Sequence, residues 1–504
     1  MNVRSGILRL APFALMLAVV LLSLAAAPRP ARAADGPSPA EIVPFDSAKA
    51  AAAALISDPA AATRAYLESV PAERREKTRA YQRGGRLLGL VDFVFNQLLV
   101  LGFLLLSGAS ARLRSFVARH TPSRAMQTAL YWFIFTGVTW AVGFPLSAYQ
   151  GYRREKAYGL LTQGFDGWMR DQFISLLMAA ILGGLALMLL YAILRRSKGR
   201  WWLWGWLTSV ALMVVIVVIE PVFLAPAFNK FTPLPDSPLK QSLLSMAREQ
   251  HVPAKDVFMV DASRRTQRIS AYVNGLFGTM RVVMYDNTLR RCTPDEVRTV
   301  IGHEMGHYVL RHVWIGIAVL GAVFLLGFLF VRWAFDWVRV RWPQMGVEGV
   351  GDVAGLPLLL LLFSLFFFVA EPINANMTRI METQADSFAL DAARAPEAAA
   401  TVFLKLGEYR DLDPGELEEI VFYDHPSGRN RIRHAMEWRA AHAGAGAGAN
   451  YGAGAGANYG AGAGANYGAG AGANYGAGAG AGAGAHSGAG AGLDSSAGAG
   501  AAPR

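Results

Sequence analysis

Arg298-Thr-Val-Ile-Gly-His303-Glu304-Met-Gly-His307-Tyr-Val-Leu310 sets two histidines four residues apart, with a glutamate directly after the first. On a helix, residues at that spacing share a face, so His303 and His307 can aim two imidazoles at one metal ion. Glu304 lies about 100° further round, close enough to take a proton from a water on that ion without being a ligand. This is the H-E-x-x-H pattern of zinc hydrolases. The helix has its own start signal, because Thr293-Pro-Asp-Glu296 combines an N-cap threonine, proline at the first helical position and glutamate at the third. The spacing predicts a helix from Pro294. Val297, Val300, Ile301 and Met305 recur at helical intervals and leave the histidines on a separate face.

The surroundings of that helix are too apolar for a soluble protein of this length. Of 504 residues 53% are hydrophobic and only 17% charged, with a mean hydropathy of +0.28. Six stretches come close to the roughly 20 residues that cross a bilayer as a helix: Leu87–Ala109, Met126–Ala148, Ile174–Leu194, Trp201–Phe223, Val313–Phe335 and Leu356–Ile373. Tryptophans 201, 202, 204, 206, 314, 333 and 337 sit near span ends, as interfacial anchors do. Residues 1–33 carry Arg4 and Arg9, an apolar run from Leu10 to Ala27 and a small-residue site ending at Ala33. They read as a cleaved signal peptide or as a first membrane helix, which makes six or seven spans. The net charge of +11 comes from short basic runs beside the spans, so it reads as a topology signal and not as a nucleic-acid surface. A single cysteine, Cys292, excludes a disulfide framework and a cysteine-based zinc site, so a metal here must use histidine and carboxylate.

The remaining segments fall between these spans. Residues 34–86 are polar and alanine-rich and read as a short exposed helical segment. Residues 87–223 hold four spans and residues 313–373 two. Between them, residues 224–312 form a soluble insertion that opens with Pro226-Ala-Phe-Asn-Lys-Phe-Thr-Pro-Leu-Pro235, too proline-rich for helix. A helix Leu239–Glu249 follows, then strand-like runs Val257–Val260 and Arg281–Tyr285 with Ser270-Ala271-Tyr272-Val between them. An exposed strand beside a zinc site can hold a peptide as an added strand, or can be a plain sheet edge. Residues 374–441 supply a candidate third ligand. In Thr378-Arg379-Ile-Met-Glu382-Thr-Gln384-Ala385-Asp386, Glu382 and Asp386 are one helical turn apart, so Glu382 can ligate while Asp386 orients a ligating imidazole through its other nitrogen. In Tyr423-Asp-His425-Pro-Ser, His425 is a candidate donor to an oxyanion, or simply a loop histidine. After about residue 442 the chain becomes a Gly-Ala tail with an eight-residue repeat marked by Tyr451, Tyr459, Tyr467 and Tyr475, which reads as a flexible tail.

Taken together, these motifs resemble the CAAX prenyl proteases, integral-membrane zinc metallopeptidases. The resemblance runs from about Arg79 to Glu437 and rests on Pro226-x-Phe-Asn-Lys-Phe-Thr-Pro-Leu, His303-Glu-x-x-His307, Arg379-x-x-Glu382-x-Gln-Ala-Asp386-x-Phe-Ala, and His425-Pro with Arg431. It implies one Zn2+ held by His303, His307 and Glu382, Glu304 as general base, Asp386 behind a ligand, and His425 with Arg431 lining the cleft. It also implies a chamber walled by membrane helices. Where the family has Asn-Ala-Tyr on its substrate-holding strand, this chain has Ser270-Ala271-Tyr272, which exchanges an amide's donor and acceptor for a hydroxyl. The resulting expectation is an all-α polytopic membrane protein with a small α+β zinc-peptidase domain, acting as an endopeptidase on peptide or membrane-protein substrates in a lipid bilayer. Two other readings are a broad-specificity membrane quality-control peptidase and a non-catalytic scaffold stabilised by zinc. Glu304 argues against the scaffold, because a structural zinc has no need of a base beside it.

Charge also predicts orientation. Arg112, Arg114, Arg119, Arg124, Arg195, Arg196, Lys198, Arg200, Arg339 and Arg341 fall on one face, against Arg153, Arg154, Lys156 and Arg170 on the other. The positive-inside rule therefore puts the zinc half on the extracytoplasmic side of a bacterial inner membrane. Resemblance to the eukaryotic members would instead turn it towards the cytosol.

Overall fold

A computed structural model describes residues 44–274 and 281–443. The signal-peptide or first-helix segment 1–33 and the Gly-Ala repeats lie outside the described residues. Two short helices, α1 (Ser47–Ala54) and α2 (Pro59–Glu68), open the described chain. Then come α3 (Ala72–Leu106), a short α4 (Ala109–His120), α5 (Arg124–Ala157), α6 (Phe165–Arg196) and α7 (Trp201–Ile219). The insertion holds β1 (Phe231–Pro233), α8 (Pro238–Glu249), β2 (Val257–Val260), β3 (Ala271–Asn274), β4 (Arg281–Tyr285), α9 (Asp286–Arg291) and α10 (Pro294–Val309). After it run α11 (His312–Arg341), α12 (Leu356–Ala393), α13 (Pro396–Leu406), α14 (Glu416–Phe422) and α15 (Gly428–His442).

Among the described residues, six helices are long and apolar enough to cross a membrane: α3, α5, α6, α7, α11 and the helix containing α12, matching the six expected stretches. Several are longer than a bilayer requires. At 1.5 Å per residue the 38 residues of α12 extend about 57 Å, nearly twice the roughly 30 Å hydrocarbon thickness. The expected last span and the expected Glu382 helix are therefore one unbroken rod, and Glu382 stands about 13 Å beyond Ile373. The helix containing α12 is also the central one, with 56% of its apolar window buried against 6–28% for the other five. Around its membrane half, Tyr131, Trp132, Phe135, Tyr191, Phe328, Phe335, Leu358 and Leu359 form the bundle core.

The loops alternate between the two ends of the bundle. At one end Arg114 pairs with Glu348 (2.8 Å) and Asp352 (2.6 Å), and Arg195 donates to the Gly351 carbonyl (3.0 Å). The basic loops that set the charge count thus share an end. At the other end Arg268, in the insertion, pairs with Glu155 (2.8 Å) from the end of α5.

Residues 34–86 depart from the expected exposed segment over their described part, from residue 44. Ala50, Ala53, Ala62, Tyr66, Leu67 and Val70 are buried in a core shared with Leu390, Ala399, Phe403, Leu404, Ile432 and Met436. Arg439 Nη1 donates to the Ala54 carbonyl (2.6 Å) and ties α15 to this layer. Alanine faces look polar-neutral in a sequence, but they let helices approach closely, and here the partner lies more than 300 residues away. The first turns of α3 also belong to the peptidase half, through Thr78 to the Gly407 carbonyl (2.9 Å) and Arg79 to Asp411 (3.3 Å).

The insertion's sheet has the order β1-β2-β4-β3, with β2 and β4 parallel and the outer pairs antiparallel. The runs Val257–Val260 and Arg281–Tyr285 form strands as expected, and β3 begins at Ala271 with Ser270 just before it. The edge of the sheet at β3 lies against α10, where Ala271, Val282 and Met284 share a core with Val297, Ile301 and Met305.

Candidate metal centre

Helix α10 is fixed at its start by the expected capping box: Glu296 N donates to Thr293 Oγ1 (3.3 Å), and Thr293 N to Glu296 Oε2 (2.7 Å). Glu296 Oε2 also meets Lys405 Nζ at 2.5 Å in a buried pair that clamps α10 to α13. The opposite side of α10 is built for close approach. A Cβ on Gly306 would lie 3.2 Å from the Ala385 Cα and 3.1 Å from the Phe388 Cβ, and one on Gly302 would lie 3.4 Å from the Ala389 Cα. Two glycines one turn apart against two alanines bring α12 so near that Glu382 and Asp386 reach the histidines of α10.

The ligand atoms converge. His303 Nε2 is 3.1 Å from His307 Nε2 and 3.1 Å from Glu382 Oε2, and His307 Nε2 is 3.4 Å from Glu382 Oε1. Neighbouring ligands at about 2.0–2.1 Å from a tetrahedral zinc stand about 3.3–3.4 Å apart, so the set fits one ion. The buried Glu382 Oε2 also has His425 Nε2 close to it, at 3.2 Å. Burial alone would favour the neutral His303 ring, but the carboxylates of Glu382 and Asp386 raise its pKa to about 10. The cluster thus draws positive charge. Burial likewise pushes the Glu304 carboxyl above the ordinary carboxylate range, against the pull of His303 and His307, as suits a proton acceptor.

Each neighbouring residue has a definite partner. His303 Nδ1 lies 2.9 Å from Asp386 Oδ1, so Nε2 is free to face the metal position. Arg431 holds Asp386 with two bonds, Nε to Oδ2 (2.7 Å) and Nη2 to Oδ1 (2.5 Å), while its guanidinium lies over the Phe403 ring. These donors of Arg431, expected to line the cleft, act through Asp386. His425 is buried within the site and not on an outer loop, with Nδ1 2.8 Å from Asp424 Oδ1. Arg410 Nη2 comes within 3.5 Å of His425 Nε2, and both border a cavity of about 190 Å³ that also reaches Arg431.

Ser270 stands apart from this cluster. Its N–H donates to Thr288 Oγ1 (3.1 Å), and its carbonyl accepts from Thr288 Oγ1 (2.7 Å) and Tyr285 N (2.9 Å). Its backbone is therefore engaged inside the domain. Antiparallel ladders alternate, so Tyr272 points its peptide groups to β4 with Ser270, while Ala271 and Val273 turn theirs to the outer edge. Among the described residues no strand occupies that edge.

Sequence reading missed His312, Gln384, Asp424 and Arg410. Gln384 and Asp424 lie inside motifs that had been singled out, where adjacency to Glu382 and His425 was the available signal. His312 follows His307 by five residues across a helix break, so helical spacing could not connect them.

Known proteins resemble this chain over most of its length. The family model for peptidase family M48 matches residues 233–439, and that for the CAAX prenyl protease N-terminal region, five membrane helices, matches residues 58–230. An uncharacterized metalloprotease of Bacillus subtilis is 34% identical over 335 residues, covering 66% of this chain and 78% of that protein. The CAAX prenyl protease 1 homolog of Arabidopsis thaliana is 29% identical over 304 residues, 59% of this chain and 70% of its own. The crystal structure of S. mikatae Ste24p shares the fold, with a TM-score of 0.63 at 21% identity, covering 80% of this chain and all of that one. The chain belongs to peptidase family M48, as a membrane-embedded metallopeptidase similar to the CAAX prenyl proteases.

Proposed function

We propose that this metallopeptidase is a zinc-dependent endopeptidase of a bacterial inner membrane that cuts peptide or membrane-protein substrates. The observation that carries the reading is the convergence of His303, His307 and Glu382 within 3.1–3.4 Å beside a buried Glu304. These three residues would hold one zinc ion per chain. When bound, zinc supplies Lewis acidity toward the scissile carbonyl and the attacking water. Glu304 takes the proton of that water and hands it to the leaving amine. Asp424 orients the His425 ring through Nδ1, and His425 with Arg410 beside it supplies the donor side for the developing oxyanion. The outer peptide groups of Ala271 and Val273 pair with substrate backbone, and Tyr272 with the Ser270 hydroxyl flanks it. Asp386 and Arg431 keep His303 in the ligating tautomer.

The test uses the full chain in detergent with an unstructured membrane-anchored polypeptide as substrate. Glu304→Gln should retain wild-type zinc by elemental analysis and cut nothing, and a variant that still cleaves at the wild-type rate would overturn the mechanism. The basic loops at the end opposite the zinc half support an extracytoplasmic site. Alkaline phosphatase fused after Arg439 should be active, whereas fluorescence there from a cytosol-only reporter would reverse the orientation.

A further inference from the structure

The two metal-facing histidines are backed by unlike partners. Behind His303 stands a carboxylate, Asp386, itself neutralised by Arg431. Behind His307 stands a second imidazole: His307 Nδ1 is 2.9 Å from His312 Nδ1, and His312 Nε2 is 3.0 Å from Gln384 Oε1. His312 is 3% exposed. It returns to His307 through a tight reversal, in which α10 ends at Val309, Arg311 takes a φ of 58° and α11 begins at His312 itself. A non-glycine residue in the left-handed region is strained and persists only where its surroundings require it.

Proton placement along this chain of groups is fixed by one condition. If His307 offers an Nε2 lone pair to a metal, its proton is on Nδ1 and donates to His312 Nδ1. His312 then carries its proton on Nε2 and donates to Gln384 Oε1. The reverse direction would put a proton on His307 Nε2 and require the Gln384 amide to turn its NH2 group toward His312. An oxygen of Gln384 facing His312 is the arrangement that goes with a His307 able to ligate.

We propose that His312, oriented by Gln384, is a positioning residue for the ligand His307, fixing its tautomer and ring plane through a neutral acceptor. The proposal rests on His303, His307 and Glu382 being the metal ligands. Neutrality has a chemical consequence. Glu382 already brings a negative charge, that of Asp386 is offset by Arg431, and an unpaired carboxylate behind His307 would raise ligand basicity and weaken the Lewis acid. An imidazole restrains the ring without adding charge.

Metal affinity tests this without relying on turnover. The full chain in detergent is titrated with Zn2+ against a chromophoric chelator, and the visible spectrum of the Co2+ form reports ligand geometry. His312→Leu should weaken Zn2+ binding about 10–100-fold and alter the Co2+ spectrum. His312→Asn, whose side-chain oxygen can take the place of Nδ1 as acceptor, should recover most of the affinity. If His312→Leu fails to fold, Gln384→Leu removes the outer acceptor and should weaken binding about tenfold. Wild-type affinity and spectrum in His312→Leu, or in Gln384→Leu where that is the variant measured, would overturn the proposal, as would an asparagine variant no better than leucine. Glu382→Ala run in parallel separates the two readings, since retained metal there means the ligand set itself is wrong.

Discussion

In the membrane bundle, many hydroxyls are satisfied within their own helix, while Ser364 reaches Gln97 Oε1 (3.0 Å) on another. Thr139 donates to the Phe135 carbonyl (2.9 Å), Ser175 to Asp171 (2.9 Å), Thr208 to Trp204 (2.7 Å) and Ser209 to Gly205 (2.9 Å), each four residues back. In the peptidase half, buried polar groups find partners far along the chain: Glu296 with Lys405, Asp386 with Arg431, and Glu155 with Arg268. A helix in lipid has no water to fall back on and closes its hydrogen bonds locally. The peptidase half buries charges instead, and each depends on another element being in place. Damage should therefore stay local in the bundle and spread in the peptidase half.

The sharpest break of that contrast lies at the proposed metal ligands. Glu382→Ala should lose both zinc and cleavage, and unchanged zinc by elemental analysis would mean that another residue is the third ligand. Next in size is Lys405→Met, which leaves Glu296 buried without its cation and should destabilise the fold by about 3–5 kcal/mol. Chemical denaturation in detergent reads this directly, and adding Glu296→Gln should recover part of the loss. A Lys405 variant of wild-type stability would erase the difference between the two halves.

His425→Ala tests the proposed oxyanion donor. Zinc should stay, while turnover falls by about 10²–10³, the usual loss for one oxyanion donor. Turnover equal to wild type would remove His425 from the mechanism. The smallest effect belongs to the bundle. Thr139→Val deletes a bond that the helix makes with itself, so stability should shift by less than about 1 kcal/mol with cleavage unaltered. A large loss at that position would show that even a bond closed within one helix carries tertiary stability.

The amino-acid order by itself determined everything that is periodic or contiguous. Six apolar runs of bilayer length gave six helices, because backbone in lipid has few ways to satisfy itself. Thr293 to Glu296 set the start of α10, and four-residue spacing put His303 and His307 on one face, because helix geometry is local. Tertiary structure decided what depends on approach between distant segments. The alanines of α1 and α2 became core only when α13 and α15 covered them. Glu382 became a ligand candidate in space because Gly302 and Gly306 allow α12 to lie against α10. Arg431 turned to Asp386, and His312 folded back onto His307 through the left-handed turn at Arg311. Those contacts are set by side-chain volume and by one backbone dihedral, quantities that no spacing rule along the chain contains.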